Sequence, residues 1–386
     1  MKLLASFLIF VLASESILAQ ESVTIEQLVE RLGDDDLNVR RDAAYGLSEL
    51  GADAGPAVSA LIEALGDQDQ QVWIQSTMAL ARIGERAHSA VPTLISHLRS
   101  RESQRRYRSA YALGKIGKVA LPELVEALSE DSSTMRAGAA QAISFMGADS
   151  ESVLETLVAA LADEDARVRQ HVAEALGKIG PTAEPMLDKA LGSDNEAVRH
   201  GAARALCAFP ASATSTIAAM TKATNDAAPE VRAVAILALA ASKLDRDRLV
   251  PLITQALHDE ESVVRDAGIV SLLKLGNSSS RAVPTLVRML NADDERSRSA
   301  ASYALGRLGP LAKEAIPQMI DSLKSQSPDD TTLARTIGRI GASAVPALLA
   351  AAEDGSVPQN QLAVALAGIG PAATEPLIAS LDSEII

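Results

Sequence analysis

The chain has 386 residues, 47% of them hydrophobic but only 2% aromatic, so its core must be built from Ala, Leu, Ile and Val, side chains suited to closely packed helices. A formal net charge of −14 argues against general binding to polyanionic DNA or RNA. The single cysteine, Cys207, excludes an intrachain disulfide and a zinc site of clustered cysteines.

The first segment differs from everything after it. Lys2 precedes an apolar run from Leu3 to Ala13, Ser14-Glu15-Ser16 interrupts it, and Ile17-Leu18-Ala19-Gln20 follows. A short basic start, an apolar run and a small residue before a cut after Ala19 predict a secretory signal over residues 1–19. The run is short for a membrane span, and no cysteine near the cut offers a lipoprotein anchor. A retained anchor and a buried first helix are the alternative readings. The expectation is an exported protein, periplasmic in a bacterium or secreted, with no stable membrane insertion after cleavage.

From Val23 onward one pattern recurs. Asp34–Gly51 (DDDLNVRRDAAYGLSELG), Asp163–Gly180 (DEDARVRQHVAEALGKIG) and Asp259–Gly276 (DEESVVRDAGIVSLLKLG) read alike, and about eleven such units close at Gly51, Gly84, Gly117, Gly147, Gly180, Pro210, Lys243, Gly276, Gly309, Gly341 and Gly370. Spacings of 29 to 33 residues mark a structural repeat, which makes residues 23–386 one continuous array instead of several globular domains.

Each unit predicts a helix A, an acidic turn and a longer helix B. Helix A appears as IEQLVERL (Ile25–Leu32), VSALIEAL (Val58–Leu65), VPTLISHL (Val91–Leu98) and VPTLVRML (Val283–Leu290), with Pro56, Pro92, Pro122, Pro284, Pro317, Pro346 and Pro376 near the starts of their helices. A first-turn proline presets φ and wastes no N–H; the closing glycine supplies a left-handed C-cap. Within helix B, counted from the Val of Val-Arg as position 0, positions 0, 4, 8 and 11 are apolar or small, as in Val168, Val172, Leu176, Ile179 and in Val39, Ala43, Leu47, Leu50. At about 100° per residue these form one buried stripe. Position 7 is nearly always alanine (Ala79, Ala112, Ala142, Ala175, Ala205, Ala238, Ala304), allowing close helix approach.

Position 1 is arginine in Arg40, Arg106, Arg136, Arg169, Arg199, Arg232, Arg265 and Arg298, and an acid commonly lies six residues before it, as Asp34, Glu130, Asp163, Asp226 and Asp259 do. Because the arginine fork binds a carboxylate bidentately, this predicts a structural ladder in which each turn acid meets the arginine of its own or a neighbouring repeat.

The DxxxxVRxxAAxALGxIG helix followed by xPxLxxAL resembles the HEAT repeat, in the short bacterial form called PBS-lyase HEAT-like, over essentially all of Val23 to Ile386. The resemblance implies an all-α fold, a right-handed α-α superhelix of about eleven helix pairs plus a final helix, and a binding scaffold lined by the B helices. It also brings in two enzyme relatives as the alternative reading. Deoxyhypusine hydroxylase-like proteins bind iron through His-Glu pairs, which none of His88, His97, His171, His200 or His258 forms here. Phycobilin lyases act in the cytoplasm, in conflict with an export signal. Departures from the pattern are Trp73 at one position 1, a seventh unit ending AASKLDRD without its glycine, and Asp330 and Gln359 where arginine is expected.

Specificity should reside in the columns of helix B that face away from the core. Position 6 reads Tyr45, Met78, Tyr111, Gln141, Glu174, Arg204, Leu237, Val270 and Tyr303; position 2 includes Tyr107 and His200. All four tyrosines fall there, which predicts a concave surface for a protein or peptide partner. The third unit adds a basic run, Arg99, Arg101, Arg105, Arg106, Arg108, Lys115 and Lys118 against Glu102, a candidate site for an acidic partner. His171, Glu174 and His200, with Arg204 beside them in register, are a weak candidate metal set. No catalytic motif is present, and no cofactor is expected.

Overall fold

A computed structural model of the chain describes residues 23–209, 213–292, 294–325 and 331–383. The signal segment, Pro210 and Asp330 lie outside them.

Every regular element among the described residues is helical. The chain divides into two compact units, Met1–Ile179 and Gly180–Ile386. In the first, A helices Ile25–Leu32, Val58–Ala64, Val91–His97, Leu121–Ala127 and Leu154–Ala160 alternate with B helices Leu37–Leu50, Gln70–Ile83, Ser103–Ile116, Ser133–Met146 and Ala166–Ile179. The second continues with the same alternation, its B helices being Glu196–Leu206, Pro229–Ala241, Ser262–Lys274, Glu295–Leu308, Thr332–Ile340 and Gln359–Ile369, and ends on Thr374–Ser383. An A helix of seven residues, such as Val58–Ala64, is too short to persist alone, so burial against its neighbours holds it.

Local chemistry sets the ends of these helices. Asp36 and Asp69 cap helix B by accepting the N–H of Asn38 at 2.8 Å and of Gln71 at 3.0 Å. The closing glycines do take positive φ, but with ψ near −126° at Gly51 and −148° at Gly117 they are extended, not left-handed helical as a C-cap would have them. Only glycine occupies that region without strain. It redirects the chain into a 3-10 turn, Gly51–Ala57 or Gly309–Ala315, which the repeat pattern does not separate from helix A. Pro56 therefore lies in that turn, whereas Pro92, Pro122, Pro284 and Pro346 sit in the first turn of helix A as expected. Gln359–Ala379 has the length and hydropathy of a membrane-spanning helix, but Gly370 at φ +71° divides it into two.

The predicted core is the observed one in the interior repeats. Val168, Val172 and Leu176 are fully enclosed, and all seven position-7 alanines are at most 1% exposed. The stripe frays in the first repeat, where Val39 is half-buried and Leu50 is exposed, because no described helix packs on that side.

The ladder is present and resolves which arginine meets which acid. Arg40, Arg136, Arg199 and Arg232 each use Nη1 for the carbonyls of their own turn, as Arg136 does to Glu130 and Asp131, both at 2.9 Å. The Nε edge then binds the carboxylate of the following turn: Arg40–Asp67 at 2.8 Å, Arg136–Asp163 at 2.7 Å, Arg199–Asp226 at 2.7 Å and Arg232–Asp259 at 2.8 Å. That carboxylate also accepts the backbone N–H two residues on, at 2.8 Å from Asp165 to Asp163. Arg169 and Arg265 keep only the carbonyl half, since the next turns carry Ser193 and Ala292 in the acid's place. Arg298 likewise donates to the Ala292 carbonyl at 2.8 Å.

These rungs make stability pH-dependent in one direction. The guanidinium groups of Arg199 and Arg232 hold the carboxyls of Asp226 and Asp259 below the ordinary value of 3.8. A carboxyl lowered in the folded state stabilises the fold fully above its unfolded value and stops doing so as pH falls through its folded one. Stability should be level near neutrality and decline as pH falls to 3.8 and below. Urea titrations across that range should show the decline, and Asp226→Asn with Asp259→Asn should flatten it.

Candidate protein-binding face

The outward columns of helix B stand apart from the ladder and carry the chain's unusual side chains. In the first unit, Tyr45 is 57% and Tyr107 51% exposed, while Met78 and Tyr111 are half-buried. Between the first three B helices runs a groove of about 380 Å³, lined by Tyr45, Gln71, Ile74, Met78, Arg82 and Arg108 among others, and bridged by Gln70 donating to Gln104 at 2.6 Å. Next to it Met78, Tyr107, Arg108 and Tyr111 line a smaller recess of about 160 Å³.

Both tyrosines of the recess also pack against an aromatic ring of the next B helix, which columns 2 and 6 do not include. Phe145 meets Tyr107 and Tyr111 edge-on, with ring centroids 5.6 Å and 5.5 Å away. It occupies position 10 of its helix, where the neighbouring units carry Glu49, Arg82, Lys115 and Lys178; the one aromatic in a charged column was the available signal. Lys115 lies over Tyr111 at 5.5 Å and Lys178 over Phe145 at 5.4 Å. Gly114 permits the close approach of the Phe145 helix, for an added Cβ would stand 2.4 Å from the Phe145 Cβ.

The basic run of the third unit is largely consumed by structure. Trp73, which replaces a ladder arginine, is buried under the guanidinium of Arg105 at 4.4 Å, and Arg105 Nη1 donates to the Leu65 carbonyl at 2.9 Å. Arg105 is therefore a packing residue that restores a link between repeats. Arg99 pairs with Glu130 at 2.8 Å, Lys118 with Asp149 at 3.3 Å, and Arg106 donates to the carbonyls of Ser100 and Arg101. Arg101 and Arg108 keep no ion pair among the described residues.

The second unit presents a sparser face. Tyr303 is 44% and Val270 45% exposed, Arg204 is exposed and Leu237 half-buried. Arg307 donates to the Tyr303 hydroxyl at 3.5 Å.

The metal candidate does not assemble. His171 Nδ1 lies 3.6 Å from Glu174 one turn along the same helix, and Glu174 is claimed by Lys178 at 2.7 Å. Among the described residues no group of three His, Cys, Asp or Glu side chains, His200 included, is placed to hold an ion. Burial keeps the His171 imidazole below its usual value, so it is neutral at pH 7. Burial also pushes the Cys207 thiol up to about 11, the opposite of what a nucleophile needs.

The HEAT-repeat sequence model matches at residues 58–144, 121–207, 154–240, 217–280 and 250–336, an unbroken span from 58 to 336. The chain belongs to the HEAT-repeat family. Residues 39–67 match the PBS lyase HEAT-like repeat in addition. No curated protein matches the sequence. Among solved structures, these HEAT repeats resemble the karyopherin Kap121p bound to the extreme C-terminus of the protein phosphatase Cdc14p, with a TM-score of 0.53 and 11% identity over 93% of this chain and 46% of that one. Kap121p bound to Pho4p gives 0.53 and 12% over the same shares. An engineered protein is 22% identical over 89% of this chain and 98% of its own, with a TM-score of 0.33. The chain thus spans less than half the length of the karyopherin, and at such identities the likeness is one of fold.

Proposed function

We propose that this HEAT-repeat chain is a non-catalytic scaffold that binds a protein or peptide partner along the outward face of its B helices. The carrying observation is the exposure of Tyr45, Tyr107 and Tyr303 on columns that vary between repeats while the core columns do not. A tyrosine offers large contact area for the loss of two torsions, so exposed tyrosines on a rigid helix array suit partner binding. Support from the fold comes through the two Kap121p structures, in which that karyopherin is bound to the extreme C-terminus of Cdc14p and to Pho4p. The lyase or oxidoreductase alternative gains no support from the residues, since no histidine is followed by a glutamate in the sequence.

The full chain, tagged at its C-terminus, should capture a protein partner from an extract of the host's exported fraction. The triple variant Tyr45→Ala, Tyr107→Ala, Tyr303→Ala should reduce that capture at least tenfold. Undiminished capture would place the binding surface elsewhere. Within the same proposal the protein is exported, and the mature chain should begin at Gln20; N-terminal sequencing that finds Met1 or Lys2 would refute the signal.

A further inference from the structure

We infer that the first unit recognises an acidic segment carrying one large apolar side chain, which enters the recess between Met78, Tyr107 and Tyr111 while its carboxylates meet Arg108 and Lys115. The inference rests on the helix-B face being the binding face and adds what binds there.

It follows from an account of the charges on that face. Its other outward cations are neutralised internally: Arg41 by Asp69 at 2.7 Å, Arg82 by Glu49 at 2.8 Å and Lys178 by Glu174 at 2.7 Å. The ladder, the Trp73 stack and two surface pairs take up Arg106, Arg105, Arg99 and Lys118. Arg101, Arg108 and Lys115 remain without an ion pair among the described residues; Arg101 precedes the helix, whereas Arg108 and Lys115 belong to it, as do Tyr107 and Tyr111. Lys115 is held over the Tyr111 ring at 5.5 Å, and a ring face accepts the charge of an ammonium without taking all of its N–H donors. Arg108 itself lines the recess. A local cationic excess on a chain of net charge −14, beside an aromatic opening of about 160 Å³, complements a short peptide element with an apolar anchor between acids. The same net charge opposes a long polyanion such as RNA.

The test is fluorescence anisotropy on the full chain with a labelled peptide bearing a central Phe flanked on both sides by Asp and Glu. Its controls replace the acids by Lys, or the Phe by Ser, and a single-stranded oligonucleotide serves as a competitor. Binding of the acidic Phe peptide should weaken at least tenfold with Phe→Ser in the peptide, and likewise with Arg108→Glu plus Lys115→Glu in the chain. That double variant should keep its helical circular dichroism, because neither side chain has an ion pair to lose and the Lys115–Tyr111 contact is at the surface. The inference is overturned if the acidic peptide does not bind, if it binds the double variant equally well, if the Lys peptide binds as tightly, or if the oligonucleotide displaces it through the same two residues. The helix-B face itself stands or falls with the tyrosine triple variant.

Discussion

Arg136→Ala should lower the stability of the first unit by about 2–4 kcal/mol, the largest loss expected from any single rung of the ladder. Arg136 is 8% exposed and makes five hydrogen bonds: two to Asp163, one to Glu164, and one each to the Glu130 and Asp131 carbonyls. Truncation leaves a nearly buried carboxylate and two turn carbonyls without their donor, and that desolvation penalty, more than the pairing itself, dominates the loss. Arg169→Ala is the control. Arg169 donates only to two carbonyls, of Asp163 and Glu164, at 2.7 Å and 2.8 Å, and water can replace it there, so about 1 kcal/mol is expected. Because stability in a repeat array is a sum of local terms, hydrogen exchange is the proper measurement. Protection should fall most in Ser133–Met146 and Ala166–Ile179. Equal losses for the two variants would show that the carboxylate contributes nothing to the rung.

Gly114→Ala should cost about 1–3 kcal/mol and weaken partner binding at the same time. Alanine is the better helix former by about 1 kcal/mol, so an ordinary mid-helix glycine would gain from the change. Here the new methyl would stand 2.4 Å from the Phe145 Cβ and 3.0 Å from the Ala142 carbonyl oxygen, atoms fixed to the backbone of the next helix. The two B helices must separate, and the Phe145 ring moves away from Tyr107 and Tyr111. Gly46→Ala provides the contrast, since its Cβ would meet only the tip of Leu28 at 3.1 Å. That change should be neutral or stabilising by up to about 1 kcal/mol. Thermal melts of both variants, together with capture of the partner, check the pair. A stabilised Gly114→Ala protein with unaltered binding would mean that the close approach is not required.

Much of this was legible in the residues because each repeat restates it. The period, the helix pairs, the buried Val168–Val172–Leu176 stripe, the alanine column and the existence of an acid–arginine ladder all depend on spacing within one unit or between identical units. A spacing that recurs is its own confirmation. Exposed tyrosines were likewise expected from helical phase, since Tyr45, Tyr107 and Tyr303 lie opposite the buried stripe.

What the repeat could not specify are the places where one unit departs from the next. Fold class, repeat boundaries and the columns free to vary all follow from residue order. Contacts between helices settle that Arg105 is spent on Trp73, that Arg40 and Arg136 reach forward to Asp67 and Asp163, and that Phe145 packs edge-on against Tyr107 and Tyr111. The reason is that these contacts join side chains from different helices, and their partners follow from interhelical distance, which residue order within a single helix does not encode. Arg105 and Arg108 look interchangeable in the sequence, three residues apart on one helix. In the fold one packs on an indole, and the other, half-buried, lines the recess without a carboxylate partner among the described residues.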